Sequence, residues 1–319
     1  VSNAGVVGRY APSPSGGLHL GNARTALLAW LHVRSQGGRF LMRIEDLDRA
    51  RSAPGAAQGM LADLRWLGLD WDEGPDVGGP HGAYVQSERS PLYEAAIERL
   101  TTKGLLFECF CSRTEVAASA PHGPGDDGPR YPGTCRELAA SVAAAKRKEG
   151  RAGALRFKVP PGVVVFADGL RGEVRLDIST AVGDFVVRRA DGVFAYQLAV
   201  AVDDALMGVT DVLRGEDLLT STPRQIQLLR ALELQVPHYT HVPLVLGTDG
   251  KRLCKRGGDL TLGALRAKGV APERIVAALA RSSGLTERKE CSAWELVAGF
   301  DVERISREPA VLDAAELYT

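Results

Sequence analysis

No apolar run in this chain of 319 residues approaches the roughly 20 residues that span a bilayer, so no membrane-spanning helix is expected in it. Residues 1–8 have neither a basic cluster nor a long apolar core, so no signal peptide is read there and a cytoplasmic protein is expected. Net charge is missing altogether, since 39 basic side chains meet 39 acidic ones. That balance argues against a histone-type polyanion binder, although it is silent on local patches. Cysteine is scarce and odd in number: Cys109, Cys111, Cys135, Cys254 and Cys291. With no secretion signal, this suits reduced thiols rather than a disulfide framework. The motif Gly-x-x-x-x-Gly-Lys-Ser/Thr does not occur, so a P-loop is out. Nor is there an internal repeat of fixed period.

What is present is the material of a globular protein, with 45% hydrophobic and 24% charged residues. The length is about twice that of a typical domain, which implies two or three packed units. Charge is uneven along the chain. Residues 41–98 hold 11 acidic against 5 basic side chains, whereas residues 130–158 hold 8 basic against 2 acidic. The basic stretch is either a solvated helix face around Lys146, Arg147 and Lys148 or a nucleic-acid footprint.

The pattern begins with a short apolar strand over 6–10, a Pro/Ser/Gly-rich turn over 11–17, and a helix opening near Gly21 and Asn22. A second strand over 40–44 completes a βαβ unit, and with it a parallel sheet with a right-handed crossover. Amphipathic helices are expected over 55–67 and 91–100, a short Ala-rich helix over 139–148, and helices over 223–234, 260–285 and 293–298. Strands are expected over 163–166, 184–188, 194–202 and 241–246, with turns at Asp191-Gly192 and Asp249-Gly250. The composition shift near Cys109 marks a second module interrupting the first.

Two segments carry chemistry. Pro12-Ser13-Pro14-Ser15-Gly16 followed by His19-Leu20-Gly21-Asn22 sets a flexible turn and a histidine at a helix N-terminus, where unpaired N–H groups favour phosphate. Lys251-Arg252-Leu253-Cys254-Lys255-Arg256 places four cations on a loop, either for solubility or to clamp the oxyanions of a triphosphate. Three cysteines within 27 positions, Cys109, Cys111 and Cys135, point to a metal before a disulfide, and ordinary ligand preference makes His122 the fourth donor.

In register, Gly8-Arg9-Tyr10-Ala11-Pro12-Ser13-Pro14-Ser15-Gly16, His19-Leu20-Gly21-Asn22 and Arg43-Ile44-Glu45-Asp46 resemble the opening of class I glutamyl-tRNA synthetases. Val202-Asp203-Asp204, Gly208-Val209-Thr210, Leu213-Arg214-Gly215-Glu216-Asp217-Leu218 and Thr222-Pro223-Arg224-Gln225 follow in the same order, and Arg252-Leu253-Cys254-Lys255-Arg256 resembles the KMSKS loop. Within that group, the short chain and Cys109-x-Cys111 with Tyr131-x-x-x-Cys135 resemble the truncated glutamyl-Q tRNA(Asp) branch. Asn22 stands where the last His of the HIGH-type motif is usual, and Cys254 where Ser is usual.

The resemblance implies an α/β, Rossmann-like class I catalytic domain with a zinc-bearing insertion and a short C-terminal helical segment. Its halves would be residues 1–107 and 191–247, the inserted acceptor-type module 108–190, and the KMSKS-like loop with helices 248–319, without an anticodon-binding domain. It implies tRNA-independent activation of L-glutamate with ATP, then transfer to the queuosine base of tRNA(Asp). A fragment-like enzyme charging tRNA(Glu) and a non-catalytic tRNA-binding paralogue are the alternatives. Arg9, Tyr10, Ala11, Pro12, Ser13, Glu45, Tyr196 and Arg214 would contact glutamate. His19, Gly21, Asn22 and Lys255 would contact ATP, with His19 and Lys255 catalytic. Mg²⁺ would arrive with ATP, and one structural Zn²⁺ would sit on Cys109, Cys111, Tyr131 and Cys135. A monomer is expected. The plain alternative for Arg9 and Glu45 is an ion pair between them at strand ends, and for Tyr196 core packing.

Overall fold

The computed structural model describes residues 5–119, 130–247, 250, 260–312 and 317. Strand β1 (Val7–Tyr10) is buried throughout and runs into the Pro12 to Gly17 turn, whose prolines and glycines favour neither helix nor strand. Helix α1 (Leu20–Arg34) starts at His19, which has extended backbone angles and whose Nδ1 accepts the Asn22 amide N–H at 3.3 Å. It is apolar on nearly every side because it is enclosed, with the sheet on one side and later helices on the other. Strand β2 (Arg39–Met42) returns parallel to β1, Gly8 opposite Phe40. Gly8 is needed there, since a Cβ would stand 2.3 Å from Val33 Cγ2.

Helices α2 (Ala56–Trp66) and α3 (Ser90–Thr102) follow, then β3 (Leu106–Cys109), α4 (Arg113–Ser119), α5 (Ala140–Lys148) and β4 (Ala154–Phe157). Next come β5 (Val163–Asp168), β6 (Gly172–Asp177), α6 (Ile178–Ala181) and β7 (Phe185–Arg188). The chain continues through α7 (Tyr196–Leu206), β8 (Asp211–Gly215), α8 (Ser221–Ala231), β9 (His238–Val242) and β10 (Val245–Leu246). It closes with α9 (Leu262–Ala267), α10 (Pro272–Arg281), α11 (Ala293–Val297) and β11 (Ala310–Val311), the last paired with β10.

The central sheet has the order β2-β1-β8-β9-β5-β6, parallel except for β6. Alternate residues serve its two faces: Phe40 and Leu213 pack with α1, α2 and α10, while Leu41 and Val212 pack with α3, α7 and α8. No described helix is long and apolar enough to cross a membrane.

Four expectations change. The strand expected over 241–246 is divided between β9 and β10, which part at Pro243. From Tyr196 on, the apolar run over 194–202 is helix, not strand, for α7 is buried on both sides and so lacks the period that would reveal it. The run over 260–285 is two helices, α9 and α10, separated at Gly269 (φ 76°) and restarted by Pro272 in its first turn. Strands β5 and β6, read as part of the 108–190 module, belong to the central sheet, because Asp168 pairs with Tyr239 of β9. The separate antiparallel sheet contains only β3, β4 and β7.

Candidate active site

The parallel strands end together, and their C-terminal edge carries a dense set of buried charges. Arg9 on β1 donates from Nε and Nη2 to the Asp204 carboxylate, at 3.2 Å to each oxygen. Arg43, just past β2, meets the same carboxylate at 2.8 Å and donates to Glu45 Oε1 at 2.9 Å. The neighbouring acid Asp203 accepts from Arg89 at 2.7 Å, Gln86 at 2.9 Å and the Tyr93 hydroxyl at 2.8 Å. Three arginines (Arg9, Arg43, Arg89) thus face three carboxylates (Glu45, Asp203, Asp204), all buried. Such a cluster holds only because each charge is paired.

The pairing is not the plain alternative of an Arg9–Glu45 ion pair. Arg9 and Glu45 are not bonded to each other; Asp204 and Arg43 intervene. Burial works to raise the Asp204 pKa, but the charges of Arg9 and Arg43 and their hydrogen bonds outweigh it and hold it below the usual carboxylate range. Glu45 goes the other way, pushed up by burial against the opposing pull of Arg43 and Arg9. A bound ammonium group beside Glu45 would favour its ionised form.

Arg214 on β8 is held differently. Its Nε donates to His241 Nε2 at 3.1 Å, Nη1 to Gln225 Oε1 at 2.9 Å and Nη2 to Thr222 Oγ1 at 2.6 Å. None of these partners, nor the Leu218 carbonyl 3.4 Å from Nη2, is a carboxylate, so among the described residues this buried cation, 3% exposed, has no carboxylate partner. His241 Nδ1 in turn lies 2.6 Å from Asp168 Oδ2.

Arg9, Tyr10, Ala11, Pro12, Ser13, His19, Gly21, Asn22, Glu45, Tyr196 and Arg214 all line one cleft of about 250 Å³. Pro243, Leu244 and Val245 line it as well. The Tyr10 hydroxyl donates to the Asn22 carbonyl at 3.2 Å, which ties the strand end to the first turn of α1. Tyr196 opens α7 and is half-buried, with burial raising its phenol pKa. Lys255, with Cys254 and the rest of the KMSKS-like loop, lies outside the described residues. Sequence reasoning gave no role to Asp204, Arg43, Asp168 or His241. The signal for Asp204 was two adjacent acids inside an apolar run; for Asp168 and His241 there was none, because strand pairing alone brings them together.

The cysteines also converge. The sulfurs of Cys109, Cys111 and Cys135 lie within 4.8 Å of one another, with Cys111 and Cys135 at 3.6 Å. The Tyr131 hydroxyl is 3.4 Å from Cys109 Sγ and accepts the Cys135 amide N–H at 2.8 Å. A tetrahedral zinc with bonds of about 2.3 Å sets its sulfurs roughly 3.8 Å apart, so the three thiols fit a metal ion. Burial, with Cys135 and Cys109 nearby, pushes the Cys111 thiol up to about 12. His122 lies outside the described residues, while Cys291 is buried in the core packed on α1.

Residues 5–319 match the family of tRNA synthetases class I (E and Q), catalytic domain. A relative from Symbiobacterium thermophilum named glutamyl-Q tRNA(Asp) synthetase is 58% identical over 96% of each chain. A glutamate–tRNA ligase of Halorhodospira halophila is 49% identical over 97% of this chain and 65% of its own length. Among solved structures, glutamate-tRNA synthetase from Elizabethkingia anophelis superposes with a TM-score of 0.85 at 28% identity, over 98% of this chain and 69% of that one. By family match, relatives and fold alike, the chain belongs to the class I tRNA synthetases of the E and Q branch, through their catalytic domain.

Proposed function

We propose that this chain activates L-glutamate with ATP in the absence of tRNA, and then transfers the glutamyl group to the queuosine base of tRNA(Asp). The observation that carries the first half is the cleft itself. It brings a buried arginine that among the described residues has no carboxylate partner, Arg214, into one lining with Glu45 and the first turn of α1. Glutamate presents two carboxylates and one ammonium, and such a site answers both signs of charge. Support for the acceptor comes from the relatives named glutamyl-Q tRNA(Asp) synthetase, two of which are 58% and 53% identical over nearly the whole chain.

In this reading Arg214 holds a carboxylate, Glu45 receives the ammonium, Tyr196 hydrogen-bonds the amino acid, and Arg9 with residues Tyr10 to Ser13 shapes the floor. An α-carboxylate oxygen attacks the α-phosphorus of ATP and pyrophosphate leaves. His19, Gly21 and Asn22 would meet the triphosphate at the start of α1, and Lys255 would neutralise charge on the leaving group. Mg²⁺ would enter with ATP. Zinc would be held by Cys109, Cys111, Tyr131 and Cys135, and would supply a structural cross-link. We place the enzyme in the cytoplasm as a monomer.

Glutamate-dependent exchange of labelled pyrophosphate into ATP, without tRNA, tests the first half; a strict need for tRNA would overturn it. Lys255→Ala is expected to lower that exchange roughly 10²- to 10³-fold with folding unchanged. Label on queuosine-containing tRNA(Asp), and none on queuosine-free tRNA(Asp), is expected for the second half. Charging of tRNA(Glu) instead would refute it.

A further inference from the structure

We propose that Asp168 and His241 are positioning residues for the glutamate site: they lock one histidine tautomer, and that tautomer fixes the guanidinium of Arg214. The inference rests on the reading that Arg214 receives a substrate carboxylate. Its basis is a chain of contacts across three strand ends. Asp168 closes β5, His241 lies in β9 and Arg214 in β8. His241 and the Asp168 side chain have no exposure.

The proton positions follow from the partners. An arginine Nε–H can only donate, so His241 Nε2, at 3.1 Å from it, must be an acceptor. The Thr222 hydroxyl, at 3.0 Å from the same nitrogen, has its proton to offer as well. The imidazole is therefore neutral, with its one proton on Nδ1 and donated to Asp168 Oδ2 at 2.6 Å. The other carboxylate oxygen, Oδ1, is held by the amide N–H groups of Leu170 at 3.0 Å, Arg171 at 2.9 Å and His241 at 3.3 Å. Both oxygens of Asp168 are thus assigned. One consequence is electrostatic: a neutral His241 can accept from Arg214, whereas a protonated one, with Nε2 3.1 Å from the guanidinium Nε, would repel the guanidinium and displace it.

This assignment makes Asp168→Asn informative. The three backbone donors hold the amide oxygen at the Oδ1 position, so the amide NH₂ must face His241 Nδ1. The histidine then has to accept at Nδ1 and carry its proton on Nε2, opposite the Arg214 Nε–H. Two donors would face each other and the guanidinium would turn away. In Asp168→Asn/His241→Gln, a glutamine carbonyl can take the Arg214 N–H without any tautomer, so the second change should repair the first.

The test has two arms. Nitrogen-15 NMR of the labelled histidines, of which the chain has six, identifies His241 as the resonance lost in His241→Gln. It is expected to show an Nδ1–H imidazole in the parent and an Nε2–H imidazole in Asp168→Asn. In tRNA-free exchange, Asp168→Asn and His241→Leu are expected to raise the KM for glutamate on the order of 10- to 100-fold. The KM for ATP and kcat should move by less than about threefold, and Asp168→Asn/His241→Gln should recover most of the loss. A parent Nε2–H tautomer, an unchanged glutamate KM in both single variants, or a double variant no better than Asp168→Asn would each overturn the proposal. Should Asp168→Asn fail to fold, the contrast between His241→Gln and His241→Leu decides in its place. If the parent shows no glutamate-dependent exchange at all, the glutamate reading fails, and the NMR arm still decides the tautomer lock.

Discussion

Asp204→Ala is expected to cost about 3–5 kcal/mol of stability and to remove glutamate-dependent exchange. The reason lies in who depends on that carboxylate. Arg9 and Arg43 both contact it, and Asp204 is 2% exposed, so truncation leaves two guanidinium groups buried with one fewer counter-charge. Water cannot readily replace the lost oxygens at that depth. The surface pair Arg175–Glu173 is the control, both side chains 63% exposed, and Glu173→Gln should change stability by less than about 1 kcal/mol. Denaturant unfolding at neutral pH compares the two variants directly. A loss below about 1 kcal/mol in Asp204→Ala would mean the cluster is not held by charge pairing.

The same carboxylate fixes the sign of a pH effect. Its pKa in the folded chain lies below the ordinary value, so folding favours the ionised form. The stability this contributes is fully present above the unfolded pKa of about 4 and is lost as pH falls through the depressed folded value. Between those two pKa values the parent should therefore lose stability on acidification that Asp204→Ala has already lost. An acid limb equally steep in both proteins would assign the acid sensitivity to other carboxylates, Asp168 and Asp211 being the next candidates with lowered values.

How much of this was legible in the sequence depends on whether a residue's partner is local. The β1-α1-β2 unit was readable because turn chemistry and helix start lie within a dozen residues of each other. His19, Gly21 and Asn22 were assigned to the helix opening for that reason, and they line the cleft. Glu45, Tyr196 and Arg214 needed the resemblance, for nothing near them in sequence marks them out. Helix α7 was misread because burial on both sides erases the alternation that separates helix from strand. Asp168 and His241 are 73 positions apart, and only the β5–β9 pairing makes them neighbours. Buried polar groups of this kind are legible from topology, not from pattern.

Loss of the cysteine cluster is the second large effect expected, and it should separate the two halves of the activity. The purified chain is expected to carry one zinc per molecule, and Cys135→Ala none. Removing a cross-link from a small module with few apolar side chains of its own should cost roughly 3–5 kcal/mol, about the value of a lost disulfide. For a chain of this length that lowers the unfolding midpoint by about 5–10 °C. The chemistry should be spared. None of Cys109, Cys111, Tyr131 and Cys135 lines the cleft; Cys111 and Tyr131 instead border a separate cavity with Arg156, Arg189 and Arg224. Tyr131 is further held by the guanidinium of Arg156, 3.9 Å above its ring, so loosening Tyr131 loosens that basic wall. Pyrophosphate exchange in Cys135→Ala should then stay within about threefold of the parent at a temperature well below its midpoint, while transfer to tRNA falls at least tenfold. Cys291→Ala, in the core packed on α1, should keep its zinc. Metal analysis, a thermal melt and the two assays on one preparation decide the matter: a zinc-free parent sinks the metal site, and exchange lost in proportion to transfer sinks the separation of module from cleft.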